Sequence, residues 1–114
     1  MRHYQKYKDS VFNTVRNMPE FPCGMQALNR FLDENTRLPI ILAGDNFSED
    51  RIFVQFIVNT DGSITDIQVA RSRSPALDRE AVRAVESMPN WIPGVHNGER
   101  VRVRFTLPIS FRLQ

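Results

Sequence analysis

Residues 97–114 read NGERVRVRFTLPISFRLQ, and within them Val101, Val103, Phe105, Leu107, Ile109 and Phe111 alternate with Arg100, Arg102, Arg104, Thr106, Pro108, Ser110 and Arg112. Strict two-residue alternation puts one set on each face of a strand, so the segment predicts a long, half-buried β-strand. The arginines take the wet face. Pro108 carries the topological information: proline has no N–H to give to a ladder and is tolerated in a sheet at an edge or a bulge. The closing strand is therefore expected at the rim of a sheet.

The elements that lead into it are legible in the same way. RIFVQFIV, residues 51–58, is β-branched and aromatic on both faces, with Ile52, Val54, Phe56 and Val58 on one and Phe53 and Ile57 on the other. Such a strand belongs in the middle of a sheet. In NTDGS, Asp61-Gly62 is the pair that best tolerates the positive φ angles of a two-residue hairpin turn. ITDIQVARS returns antiparallel and, with Asp66 and Gln68, wetter. Ser74 before Pro75 starts a helix, the serine oxygen capping free amides and the proline standing where an N–H is not needed. Leu77, Ala81, Ala84, Val85 and Met88 share one face of it, and Arg79, Glu80, Arg83 and Glu86 the other. Pro89 ends it, and Trp91 follows between two prolines, most simply as a plug that fixes how helix hands over to strand.

Earlier in the chain, GMQALNRFLDEN lines Met25, Leu28, Phe31 and Leu32 along one helical face after the break PEFPCG. TRLPIILAGDNFSED is irregular, punctuated by Pro39, Gly44 and Asn46. Residues 1–19 form a leader. Tyr4, Tyr7, Val11, Val15 and Met18 fall at three- and four-residue spacings that fit a short helix, or the leader is partly ordered and packs its tyrosines on the domain.

With the first strand central, the pieces assemble as an α+β fold: two helices on one face of a three-stranded antiparallel sheet, strand order 2-1-3, with the last strand at an edge. Residues 20–114 form that domain. A long edge strand also invites pairing or exchange between two copies of the chain.

Composition narrows the function. A chain of 114 residues with 41% hydrophobic and 25% charged residues suits one globular domain. The net charge is +2, but residues 51–114 hold nine arginines against six acids. A pI near 9.1 leaves a nucleic-acid binder conceivable, yet the arginines sit in strand alternation or beside acids on a helix, which favours a solvated face. Cys23 stands alone, so no internal disulfide or multi-cysteine metal site is expected, and it reads as a small packed side chain. His3 and His96 lack ligand-spaced partners. Asp78 and Glu80 point to different faces of their helix, no glycine-rich phosphate loop is present, and no serine has a paired histidine motif, so neither catalysis nor a cofactor is expected. No run of about 18 apolar residues provides a membrane span, and MRHYQKYKDS is not a signal peptide. The chain is then either cytoplasmic or a piece of something longer.

FPCGMQALNRFLDEN, VQFIVNTDGSITDIQVARS, LDREAVRAVESMPNWIPG and NGERVRVRFTLPISFRL together resemble the C-terminal domain of the TonB energy-transducer family, in its Bacteroidetes-type form. The likeness covers roughly residues 20–114 and rests on the ordered set of D-G turn, L-D-x-E-A helix, M-P-x-W-x-P-G stop and P-I-x-F strand end. The resemblance implies a periplasmic module, anchored to the inner membrane in the full-length protein and served there by a proton-driven motor. Its partner would be a TonB-dependent outer-membrane transporter, whose TonB box is captured as an added strand. Carried over by position, the receiving edge is Arg100, Val101, Arg102, Val103, Arg104, Phe105, Thr106 and Leu107, with Leu38 and Pro39 nearby. Gly62, Trp91, Pro93 and Gly94 are the structural positions of the match.

Overall fold

The computed structural model describes residues 7, 10–37, 49–72 and 74–112. In chain order the elements are β1 (Val11–Phe12), α1 (Met25–Asn35), β2 (Glu49–Val58), β3 (Ile64–Arg71), α2 (Pro75–Glu86), β4 (Gly94–His96) and β5 (Glu99–Arg112).

The sheet is built on β2, which pairs antiparallel with β5 in one unbroken register from Glu49↔Arg112 to Val58↔Val103. Its other side takes β3, also antiparallel. The expected order of the three long strands therefore holds. Two further strands correct the expected count: β1 lies outside β5, giving the order β1-β5-β2-β3, and β4 pairs with the start of β5. The closing strand is thus not a bare rim along its whole length, because a segment of the leader adds to it. Val11 and Phe12 are extended and pair parallel with Arg102 and Val103, so the helical reading fails over these residues. The tyrosine reading fares better: the Tyr7 ring sits edge-on to Phe12 at 5.3 Å and to His96 at 5.1 Å. Tyr4 lies outside the described residues.

Inward alternation from β2 and β5 makes the core. Ile52, Val54, Phe56, Val58, Val101, Val103, Leu107, Ile109 and Phe111 are buried, and Leu28 of α1 and Leu77, Ala81, Ala84 and Val85 of α2 are buried with them. Met25, expected on the buried stripe of α1, is 67% exposed, since it occupies the first residue of the helix. Cys23 is exposed rather than packed, in a tight turn with φ 67 beside Gly24. α2 starts as its sequence predicts, Ser74 accepting from the Leu77 N–H at 3.3 Å with Pro75 at its first position. Its outer face ties the helices together: Glu80 accepts from Arg83 at 2.7 Å and from the Arg37 amide at 2.7 Å, while Arg83 reaches the Asn35 carbonyl.

The turn between β2 and β3 differs from the two-residue form. The Gly62 N–H reaches the Asn59 carbonyl at 2.9 Å and the Asn59 N–H reaches Ser63 at 2.8 Å, leaving three residues in the loop. Gly62 has φ 89 and Asp61 does not share the positive angle; the Asp61 carboxylate instead accepts from the Ser63 N–H and hydroxyl at 2.9 and 2.6 Å. Gly62 is required for a second reason. The Trp91 N–H donates to its carbonyl at 2.8 Å, and a Cβ at Gly62 would lie 2.1 Å from the Trp91 carbonyl oxygen.

Two outcomes test this packing. Gly62→Ala forces both the strained φ and that backbone contact, so it is expected to destabilise by at least about 1–3 kcal/mol in urea unfolding; an unchanged midpoint would contradict the docked turn. The hydrogen bonds from Arg83 and Arg37 hold the Glu80 carboxyl below its ordinary value of 4.5. A depressed pKa contributes stability that is present above that value and fades as pH falls through the folded pKa. Glu80→Gln is therefore expected to flatten the acid limb of a stability-against-pH curve, leaving the part due to Asp61, which its Ser63 donors also lower.

Candidate functional site

The passage from α2 into β5 sets the position of the closing strand. Trp91 is 3% exposed, with Phe105 at 5.0 Å, Phe56 at 5.4 Å and Phe21 at 5.7 Å around its ring. Its Nε1 is buried without a hydrogen-bond partner among the described residues, so the indole is held by aromatic packing, as a plug between helix and strand. Ile92 exchanges backbone hydrogen bonds with Glu20, at 2.7 and 3.0 Å. Gly94 then passes between the leader and β5: a Cβ there would stand 2.7 Å from Val103 and 3.2 Å from Pro19. The W-x-P-G stretch is thus where leader, hairpin turn and last strand meet.

Which flank of β5 faces outward follows from Pro108. Alternate residues of a strand direct their N–H and C=O to opposite sides. Pro108 lacks the N–H, yet the ladder to β2 runs through Phe53↔Pro108 and Val54↔Leu107 without a break. Pro108 must therefore turn its backbone away from β2. By alternation Phe105, Leu107, Ile109 and Phe111 bond to β2, and Arg102, Arg104, Thr106 and Ser110 turn with Pro108 to the other flank.

On that flank the neighbours are specific. Gly94, Val95 and His96 pair with Val101, Arg100 and Glu99. Phe12 lies opposite Val103, and in a parallel pair a residue bonds to the two neighbours of the one it faces, so it takes groups of Arg102 and Arg104. From the Arg104 carbonyl onward, no strand among the described residues lies outside β5. The expected receiving edge is therefore divided: Arg100, Val101, Arg102 and Val103 are engaged by β4 and β1, whereas Phe105, Thr106 and Leu107 border an open flank. Leu38 and Pro39 lie outside the described residues.

The chemistry of this stretch is cationic and polar on its outer face. The Arg102 Nε donates to the Asn59 Oδ1 at 3.1 Å and an Arg104 Nη to the Asn13 Oδ1 at 3.0 Å, neutral partners in both cases. Thr106 is exposed and Phe105 half-buried. The other rim of the sheet, β3, differs: its register to β2 shifts twice, and Asp66 at φ 54 bends the strand. A bulge of that kind turns an edge away from further pairing, so β5 presents the straighter edge. A cleft of about 650 Å³ between the leader and the β4–β5 turn is lined by Thr14, Val15, Arg16, Asn17, His96, Asn97 and Gly98. Val15 is the one aliphatic side chain in that lining, so it does not resemble the hydrophobic and aromatic lining of a small-molecule pocket. No group of three metal-ligating side chains occurs among the described residues.

Sequence reasoning missed β1, since two residues carry no period, and it missed that Tyr7, Phe12 and His96 meet across more than eighty residues of chain.

Comparison with known proteins places this geometry. A profile of the Gram-negative bacterial TonB protein C-terminal matches residues 43–113. An NMR solution structure of Helicobacter pylori TonB-CTD, residues 194–285, is 22% identical, covers 78% of this chain and 92% of its own, and superposes with a TM-score of 0.59. A longer form of that domain, residues 179–285, is 24% identical, with 78% and 79% covered and a TM-score of 0.55. At such identities the likeness is one of fold. No curated protein sequence gives a significant match.

The orientation of β5 is open to a direct check. Amide hydrogen exchange is expected to alternate, with Thr106 and Ser110 exchanging like open loops and Phe105, Leu107 and Ile109 strongly protected. Uniform protection from 105 to 110 would overturn it.

Proposed function

The chain belongs to the TonB C-terminal family, whose members are non-enzymatic modules of TonB-dependent transport that interact with outer-membrane transporters, and on that premise we propose that this domain is the periplasmic peptide-binding end of an energy transducer. In this reading it captures the TonB box of an outer-membrane transporter by strand addition on β5, and in the full-length protein an inner-membrane proton-driven motor supplies the work passed along that contact. The family suggests a periplasmic location; among the described residues no helix is long and apolar enough to cross a membrane.

The observation that carries the proposal is the flank of β5 beside Phe105, Thr106 and Leu107. It is in continuous register with β2 on its inner side and without a strand on its outer side among the described residues. Strand addition draws affinity from main-chain hydrogen bonds and specificity from alternating side-chain contacts.

Magnitudes decide what else is needed. Four main-chain bonds contribute about 2–6 kcal/mol at about 0.5–1.5 each, whereas a micromolar complex requires about 8. The remainder has to come from side chains, and the half-buried ring of Phe105 and the exposed Arg104–Thr106 face are the surfaces beside the flank that can supply it. Such a complex is weak enough to release, as a transport cycle demands.

Titration with a TonB-box peptide, followed by amide NMR, is expected to give saturable shifts concentrated at Arg104, Phe105, Thr106 and Leu107. Shifts confined to β3, or none at all, would remove the proposal. A concentration-dependent dimer in sedimentation that ignores the peptide would instead assign the flank to a second copy of the chain.

A further inference from the structure

The same flank carries information about its guest that the family assignment does not contain, and the argument rests on the strand-addition reading above. Between the leader and Pro108, the outward backbone groups are not an even row of donors and acceptors. Phe12, opposite Val103, takes the outward N–H of Arg104. Pro108 has none. What faces outward from 104 to 108 is therefore three carbonyls, those of Arg104, Thr106 and Pro108, and one amide, that of Thr106.

From this we infer that Pro108 is a specificity-determining residue which, together with the leader strand, makes the flank an acceptor-rich edge that reads its guest by backbone donors and centres it on Thr106. The occupant is a short extended segment of a partner protein. It offers N–H groups at three alternate positions, opposite Arg104, Thr106 and Pro108, and accepts from β5 only opposite Thr106. The two unmatched guest carbonyls face outward beside an exposed strand, where water can satisfy them, so the asymmetry costs little on the guest side. A proline at any of the three donor positions is excluded, because it would strand a carbonyl of β5 and lose the bond. A residue at the two intervening positions keeps its N–H away from β5 and is indifferent to that constraint.

Charge sharpens the fit without defining it. Arg102 and Arg104 flank the start of the open run, and the hydrogen bonds described for their guanidinium groups go to the neutral side chains of Asn59 and Asn13. Neither arginine is in an ion pair among the described residues. The end of a guest that lies over Arg104 therefore meets a guanidinium outside any ion pair among the described residues, and that end is favoured when acidic.

The experiment uses the whole chain, a TonB-box peptide and its series of single N-methylated forms, which delete one guest N–H at a time. Methylation at three alternate positions is expected to weaken binding roughly 10-fold or more, and methylation at the positions between them to leave it within about 2-fold. Pro108→Ala adds the missing donor, and is expected to tighten the parent peptide roughly 2- to 12-fold, one further net hydrogen bond. In the free variant the amide gained by this substitution is expected to exchange freely and to become protected when the peptide binds. A methyl scan without alternation, an unchanged affinity in Pro108→Ala, or protection of the gained amide in the free variant would each overturn the inference while leaving strand addition intact. Absence of binding by the parent peptide to the unsubstituted chain would overturn both.

Discussion

The structure depends on the ladder between β2 and β5. Ten residue pairs run in one register, and both strands bury their inward set against α1 and α2. Because a side chain alternates face every residue, a slip by one would turn one strand's set outward, either Ile52, Val54, Phe56 and Val58 or their partners Ile109, Leu107, Phe105 and Val103. Burying such side chains is worth about 1.5–3 kcal/mol each, so the register is fixed by far more than any local preference. With it comes the orientation of every backbone group on β5, and through Pro108 the sequence itself tells which flank those groups face.

The remaining elements position that ladder. The hairpin tip is docked on Trp91 through Gly62, and Trp91 in turn packs on Phe105 and Phe56, one from each strand of the ladder. The helix stop, the turn and the closing strand are therefore one unit rather than three. The leader enters this unit at Gly94 and shortens the flank of β5 that no strand covers among the described residues, since Phe12 lies opposite Val103. The Tyr7, Phe12 and His96 rings hold it there, with the Asn97 amide on the Tyr7 hydroxyl at 3.3 Å.

Much of this was legible in the chain. Two-residue alternation gave β5, an apolar run on both faces gave the centrality of β2, and Ser74-Pro75 gave the start of α2. Each signal is a period or a cap that acts over a few residues. What escaped has the opposite character. β1 is a two-residue pairing whose partners lie some ninety residues away, so nothing local announces it. The three-residue turn looks like a two-residue one until Trp91 docks on it, and Asp66 enters the left-handed region because the sheet needs a bulge there, not because its neighbours ask for one. The edge expected from Pro108 is met only in part: β4 and the leader strand β1 lie outside the first half of β5, and only the stretch beside Pro108 has no strand outside it among the described residues. Cys23 shows the same limit: a packed cysteine is the common case, and a turn between Phe21 and Gly24 instead left it exposed.

The claim at the centre is that β5 receives a guest strand at Thr106 on the side away from β2. The most direct measurement is a set of cross-strand proton contacts between an isotopically labelled TonB-box peptide and the protein. Interstrand contacts from the peptide to the backbone protons of Phe105, Thr106 and Leu107 are the result the account predicts. Contacts to Thr65, Ile67 and Val69 on β3, or to no strand at all, would contradict it.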